Sequence, residues 1–120
     1  MVIERIKAKC PPGTVIPKPQ SADKYVIKGW GKSRGEDAIV YQLPMKPYSK
    51  KASTKRIPVS AFMRTFDKLT NNGEISRTWF RKEFPDLDKD GSCNFTTIGG
   101  IFILLGEAVY MGEGFYESKK

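Results

Sequence analysis

Aromatic and cationic residues interleave along one stretch of this 120-residue chain. Tyr25, Trp30, Tyr41 and Tyr48 alternate with Lys28, Lys32, Arg34, Lys46 and Lys50. Aromatic faces stack on unpaired bases and cations meet phosphates, so the pattern suits single-stranded nucleic acid. Lys51, Lys55 and Arg56 prolong the cationic run, and no acid follows until Asp67. Strand alternation puts Tyr25 and Ile27 on one face and Lys28 and Trp30 on the other. Tyr25 and Tyr41 are therefore expected in the core, and Trp30, beside a glycine-containing turn, is expected to stack. The bland counterpart is a solvated basic surface that keeps the chain dissolved.

Two further stretches carry candidate chemistry. Asp86, Asp88 and Asp90, followed by Gly91 and Asn94, place oxygens at every second position, as a calcium loop does. Neither possible register supplies the acid at the twelfth position, where Thr97 or Gly99 stands instead. The alternative is an acidic turn favouring the positive end of the next helix. The segment SAFMRTFDKLTNNGEISRTWFRKEF reads as two helices about a short glycine turn, with Arg77 and Arg81 on a basic face that would lie along a groove. Glu74, where such a motif wants an apolar residue, counts against it.

Other chemistry has little footing. Gly31-Lys32-Ser33 lacks the earlier glycine and the following helix that a phosphate-binding loop needs. The chain has no His, which removes the commonest general base, and Cys10 and Cys93 lack zinc-site spacing. A non-enzymatic protein without a cofactor is expected, its cysteines ordinary thiols.

Charge is unevenly placed. Residues 1–60 hold thirteen Lys and Arg against four Asp and Glu, giving +9; residues 61–120 hold eight against nine, giving −1. Such asymmetry points to a polyanionic partner. No apolar leader is visible in MVIERIKAKC, so a cytoplasmic location is expected, with no membrane partner.

The elements that must position these residues fall into two halves of one domain, residues 1–120. Residues 1–59 read as a basic β-rich half. VIERIKA is a weakly alternating strand and TVIP a short edge strand. KYVIKGW and DAIVYQLP form a hairpin across the longer linker GKSRGE, and RIPV pairs back as a third strand with the basic segment at the tip. Residues 60–112 read as helical. Ser60 caps a helix over 60–70 that ends at NNG, and a second helix covers about 75–84 before Pro85. PDLDKDGS is a loop. The third helix carries the apolar stretch from Cys93, capped by Thr96 or Thr97 and ended by Gly112. Ile98, Ile101, Phe102 and Leu105 mark one face, and Ile103 and Leu104 make it greasy on most sides, hence buried. Gly99, Gly100 and Gly106 would let neighbouring backbone approach. Residues 113–120 are a tail whose Phe115 and Tyr116 pack back. The expected class is α+β: a small antiparallel sheet covered by about three helices.

GWGKSRGEDAIVYQLP, GEISRTWFRKEF and CNFTTIGGIFILLG give the chain a whole-length resemblance to the small orphan proteins of bacterial integron gene cassettes. The resemblance implies a bacterial, cytoplasmic, single-domain protein and transfers no functional residue. The leading expectation is therefore nucleic-acid binding through Lys28, Trp30, Lys32, Arg34, Lys50, Lys51, Lys55 and Arg56, with Arg77 and Arg81 as a second group. The alternatives are a protein-interaction or small-ligand module, homodimeric in one version, and calcium binding at 86–97.

Overall fold

Residues 2–19, 21, 23–45 and 53–119 are described by a computed structural model. The first element departs from expectation. Val2–Lys9 is a helix, α1, and not a strand. Val2, Ile6 and Cys10 recur every four residues and all three are buried, so the helical period outweighs the weak alternation of the same residues. Arg5 ties α1 to the far end of the chain, donating to the Leu105 carbonyl at 3.0 Å and pairing with the buried Glu107 carboxylate at 2.8 Å.

Four antiparallel strands follow in spatial order: β1 (Val15–Ile16), β2 (Tyr25–Ser33), β3 (Glu36–Gln42) and β4 (Thr54–Pro58). The edge strand, the hairpin and the returning RIPV strand all lie where expected. The hairpin turn is tighter than expected. Arg34 and Gly35 alone form it, with φ of 50° and 81°, the two left-handed residues of a turn that matches strand twist. The pairing skips Lys28, leaving it as a bulge residue with an exposed side chain. The basic tip, including Lys50 and Lys51, lies outside the described residues.

Helix α2 (Val59–Asn72) packs on this sheet. Ser60 does not cap it as expected. The helix starts one residue earlier, and the Glu36 carboxylate reaches across from β3 to accept the Ser60 N–H at 2.9 Å and hydroxyl at 3.0 Å. An acid on another element thus serves the positive helix end. Gly73, at φ 82°, closes α2 by donating to Leu69. Three residues, Glu74–Ser76, then form a strand, β5, and only afterwards does helix α3 (Arg77–Glu83) begin, capped by Ser76 at 3.1 Å. The expected loop 85–92 contains a short helix, α4 (Pro85–Asp90), with proline at its permissive first turn.

Helix α5 (Cys93–Leu104) is the buried element the hydropathy demanded. Phe95, Ile98, Ile101 and Phe102 are fully buried among side chains from both halves of the chain. Its C-terminus is set by Gly106, at φ 74°, and not by Gly112: Gly106 donates to Ile103 and Glu107 to Phe102, the paired bonds of a left-handed glycine cap. The remaining residues form a hairpin, β6 (Ala108–Gly112) and β7 (Phe115–Ser118), that joins β5 in a second antiparallel sheet of order β5-β7-β6. The fold is α+β, with four helices after the first sheet where three were expected.

Gly99 and Gly100 admit two different neighbours. A Cβ at Gly99 would overlap the ring of Tyr116, and one at Gly100 would overlap the Pro17 carbonyl oxygen and sit 2.7 Å from Ile16 Cγ2. Helix propensity alone makes Gly100→Ala stabilising by ~1 kcal/mol. Overlap with backbone makes it destabilising, by roughly 1–3 kcal/mol net. Urea unfolding distinguishes the two, and a raised midpoint would show that Pro17 does not press on the helix.

Candidate functional site

Among the described residues, six of the cations expected to meet phosphates lie against acceptors of the protein itself, while Lys28 is exposed. Lys32 pairs with Asp37 at 2.6 Å and holds that carboxyl below its usual range. Arg34 faces Asp86 at 3.6 Å. Lys55 donates to the Asp90 carbonyl at 2.7 Å, its carboxylate 3.8 Å away, while its stem lies against Gly91. Arg56 crosses the outer face of the sheet over Gly31 and donates to the Lys32 carbonyl at 2.7 Å. Arg81 and Arg77 both reach Asp88, at 3.1 and 3.8 Å. Trp30, expected to be free for stacking, pairs across from Ile39 on the core side, with the Lys7 ammonium 5.0 Å from its ring centroid.

Asp86, Asp88 and Asp90 therefore face three different sets of cations. They stand on helix α4, and among the described residues no group of three or more acidic, Cys or His side chains converges as a metal site. The strand β5 between α2 and α3 removes the short turn a DNA-reading helix pair needs, and Arg77 is half-buried. A cleft of about 620 Å³ between the Arg34 turn, β4, α2 and α4 collects Arg34, Lys55, Arg56 and Arg64. Glu36, Glu83, Asp86 and Asp90 line it too, so its formal charge is balanced.

A second pocket, of about 180 Å³, has a different character. Lys18, Tyr25, Arg77, Thr96, Tyr110 and Tyr116 line it, with Cys93. Pro17 and Pro19 flank Lys18, which fixes the backbone on both sides. The Pro17 backbone rests on Gly100, so Lys18 is delivered to the first turns of α5. Its ammonium donates to Thr96 Oγ1 at 2.7 Å, Thr97 Oγ1 at 2.8 Å and the Cys93 carbonyl at 3.1 Å. The Tyr25 ring centroid lies 4.1 Å from Nζ. Burial pushes the Lys18 ammonium down to about 8; Cys93 opposes this and the neighbouring Arg77 guanidinium adds to it.

Arg77 enters from the start of α3. Its N–H bonds the Gly114 carbonyl at 2.9 Å and its guanidinium bonds the Ser92 carbonyl at 2.9 Å, which fixes both ends of the side chain. The tyrosines come from the C-terminal hairpin. Tyr110 and Tyr116 are cross-strand partners with ring centroids 5.1 Å apart. Both hydroxyls are buried and have no hydrogen-bond partner among the described residues. Such groups cost roughly 1–3 kcal/mol each. Burial holds the Tyr116 phenol well above its ordinary range, next to Tyr110.

Cys93 joins a polar chain at the start of α5. Asn94 Nδ2 donates to the Leu87 carbonyl at 2.9 Å, so Asn94 Oδ1 is the acceptor for the Tyr41 hydroxyl at 2.6 Å. With its one proton committed, Tyr41 accepts from the Cys93 S–H at 3.1 Å. Cys10 and Cys93 are both free thiols.

Lys18, Thr96, Tyr110 and Tyr116 escape sequence reasoning because their chemistry arises from packing between distant segments. The proline pair around Lys18 is the one local sign of a cation held in place. Among the described residues no helix is long and apolar enough to cross a membrane. No family model, curated protein or solved structure matches the chain, so function is argued from the site.

The low value at Lys18 fixes a pH signature. Between about 8 and the ordinary 10.5, the unfolded chain holds a proton that the folded chain has released. Stability contributed by this group therefore rises with pH across that window and is lowest, and flat, below it. The unfolding free energy of the wild type minus that of Lys18→Met should climb from pH 8 to 10. A difference that stays level would show that the Lys18 ammonium is not desolvated.

Proposed function

We propose that the protein is a binding module for a small anion, a carboxylate or phosphate, held in the pocket between Lys18 and Arg77. The observation that carries this reading is a pair of cations on one wall. Lys18 and Arg77 line a cavity with no carboxylate among its described lining residues; Asp88, outside that lining, lies 3.8 Å from Arg77. A site that offers donors and positive charge but no acidic acceptor favours an anion over a cation or a neutral amide. A volume of about 180 Å³ suits a small acid.

Nucleic acid has weaker support as the partner. Lys32, Arg34, Lys55, Arg77 and Arg81 face the protein's own carboxylates. Exposed pairs of this kind exchange readily, so weak, salt-sensitive association with an oligonucleotide is the expected result. Binding of a fluorescent single strand that persists at ~0.15 M salt would restore the polyanion reading.

Thermal unfolding in acetate and in inorganic phosphate, at constant ionic strength, tests the anion site. A saturable rise in Tm is expected, worth roughly 2.7 kcal/mol at a hundred times Kd. Lys18→Met and Arg77→Met are the informative variants. Each removes a cation from the pocket wall, so each should gain less from the anion than wild type. An equal, unsaturable rise in all three proteins would overturn the reading. Preference for acetate or for phosphate identifies the anion class.

A further inference from the structure

We propose that the free edge of β4 takes up, as an added antiparallel strand, an extended segment of a partner protein that alternates acidic and apolar side chains. This surface lies along the larger cleft and is independent of the anion pocket.

The backbone pattern carries the inference. β4 ends the first sheet and pairs only with β3. The Leu43 N–H bonds the Ser53 carbonyl at 2.9 Å, and no bulge interrupts the register that follows. Opposed residues of an antiparallel ladder alternate between bonded and non-bonded pairs, so Lys55 and Ile57 direct their N–H and C=O groups to Tyr41 and Ile39. Thr54 and Arg56 turn both groups away from β3. Pro58 fits the same phase, because the N–H it lacks would also point outward. Thr54 and Arg56 are exposed, and among the described residues nothing bonds their outward backbone groups. Such a row of open donors and acceptors is a template for another strand.

The surroundings select the occupant. Lys55 shares a face with the buried Ile57 and reaches the Asp90 carbonyl, so α4 flanks that face of the edge. Phe84 and Leu87, both half-buried, line the cleft of about 620 Å³ there. Apolar side chains opposite Lys55 and Ile57 on an added strand would meet them. Arg56 lies on the other face. Lys55, Arg34 and Arg64 face Asp90, Asp86 and Glu83, and Glu36 serves the start of α2. Arg56 is thereby left without an ion-pair partner among the described residues, its guanidinium resting on the neutral Lys32 carbonyl. A carboxylate opposite it on an added strand is the stronger acceptor. A second copy of this chain fits less well, since pairing β4 with itself about Lys55 or Arg56 sets like charges opposite.

The test titrates the full chain into a short fluorescein-labelled peptide that alternates glutamate and valine, read by anisotropy. Saturable binding is expected. N-methylation of the glutamates, whose N–H groups would face Thr54 and Arg56, should weaken it about tenfold or more. N-methylation of the valines, whose N–H groups would face away, should change it little. Thr54→Pro removes one outward N–H and keeps the bonds to β3, so it should weaken binding with the circular dichroism unchanged. A lysine–valine peptide should bind less well than the glutamate one, and Arg56→Gln should narrow that difference. In the free chain the Thr54 and Arg56 amides should exchange faster than those of Lys55 and Ile57, and slow when the peptide is added. No binding, equal loss from both N-methylated peptides, or Thr54 and Arg56 amides already protected in the free chain overturns the inference. A concentration-dependent mass that Thr54→Pro abolishes overturns it too, and assigns the edge to a second copy.

Discussion

Two adjacent glycines in the buried helix set how closely three parts of the chain can meet. Gly99 takes the flat ring of Tyr116, and Gly100 takes the Pro17 carbonyl. Neither approach survives a Cβ, so the spacing of α5 from the C-terminal hairpin and from the proline loop depends on these two positions. The candidate site lies between the segments they admit. Tyr116 also packs edge-on against Phe95 at 5.5 Å, and Phe95 against Phe80 at 5.3 Å, so the ring that lines the pocket continues the aromatic core. Glycine weakens a helix, but burial of α5 on most sides supplies far more stabilisation than ~1 kcal/mol per residue removes.

The folded chain offsets part of the charge separation of the sequence. A +9 half and a −1 half suggest a cationic surface, but α4 carries three acids back against the first sheet and the start of α3. The basic stretch and the acidic stretch, each resembling a ligand site when read alone, are partners of one another. Each pair is exposed or half-exposed and adds little to stability. Together they draw Arg34 and Lys55 onto the protein's own acids, and beside the smaller pocket Arg77 shares Asp88 with Arg81 while Lys18 is held by neutral acceptors.

Much of the architecture was legible because it follows from local pattern. β2, β3 and β4 were visible as β-branched runs, α2 from its stop at Gly73, and α5 from sheer hydropathy. The misses share a cause. α1 and α4 are short, eight and six residues, and helices of that length owe their existence to tertiary contacts that a sequence window does not contain. β5, three residues long, exists because β7 pairs with it through Ile75 and Tyr116. The site was the least legible part. Tyr116 looked like tail, Lys18 like loop and Thr96 like a cap; each is defined by its neighbour across the fold.

The polar chain at the start of α5 explains how one pocket can hold a thiol and an amine in fixed places. Direction is set at Leu87, whose carbonyl can only accept, and it propagates through Asn94 and Tyr41 to the Cys93 proton. Lys18 meets opposing demands on the same turns. Burial and the Arg77 cation disfavour its charged form, whereas the three acceptors around Nζ match the three protons of an ammonium. The first two turns of α5 thus order a donor chain on one side and grip one cation on the other.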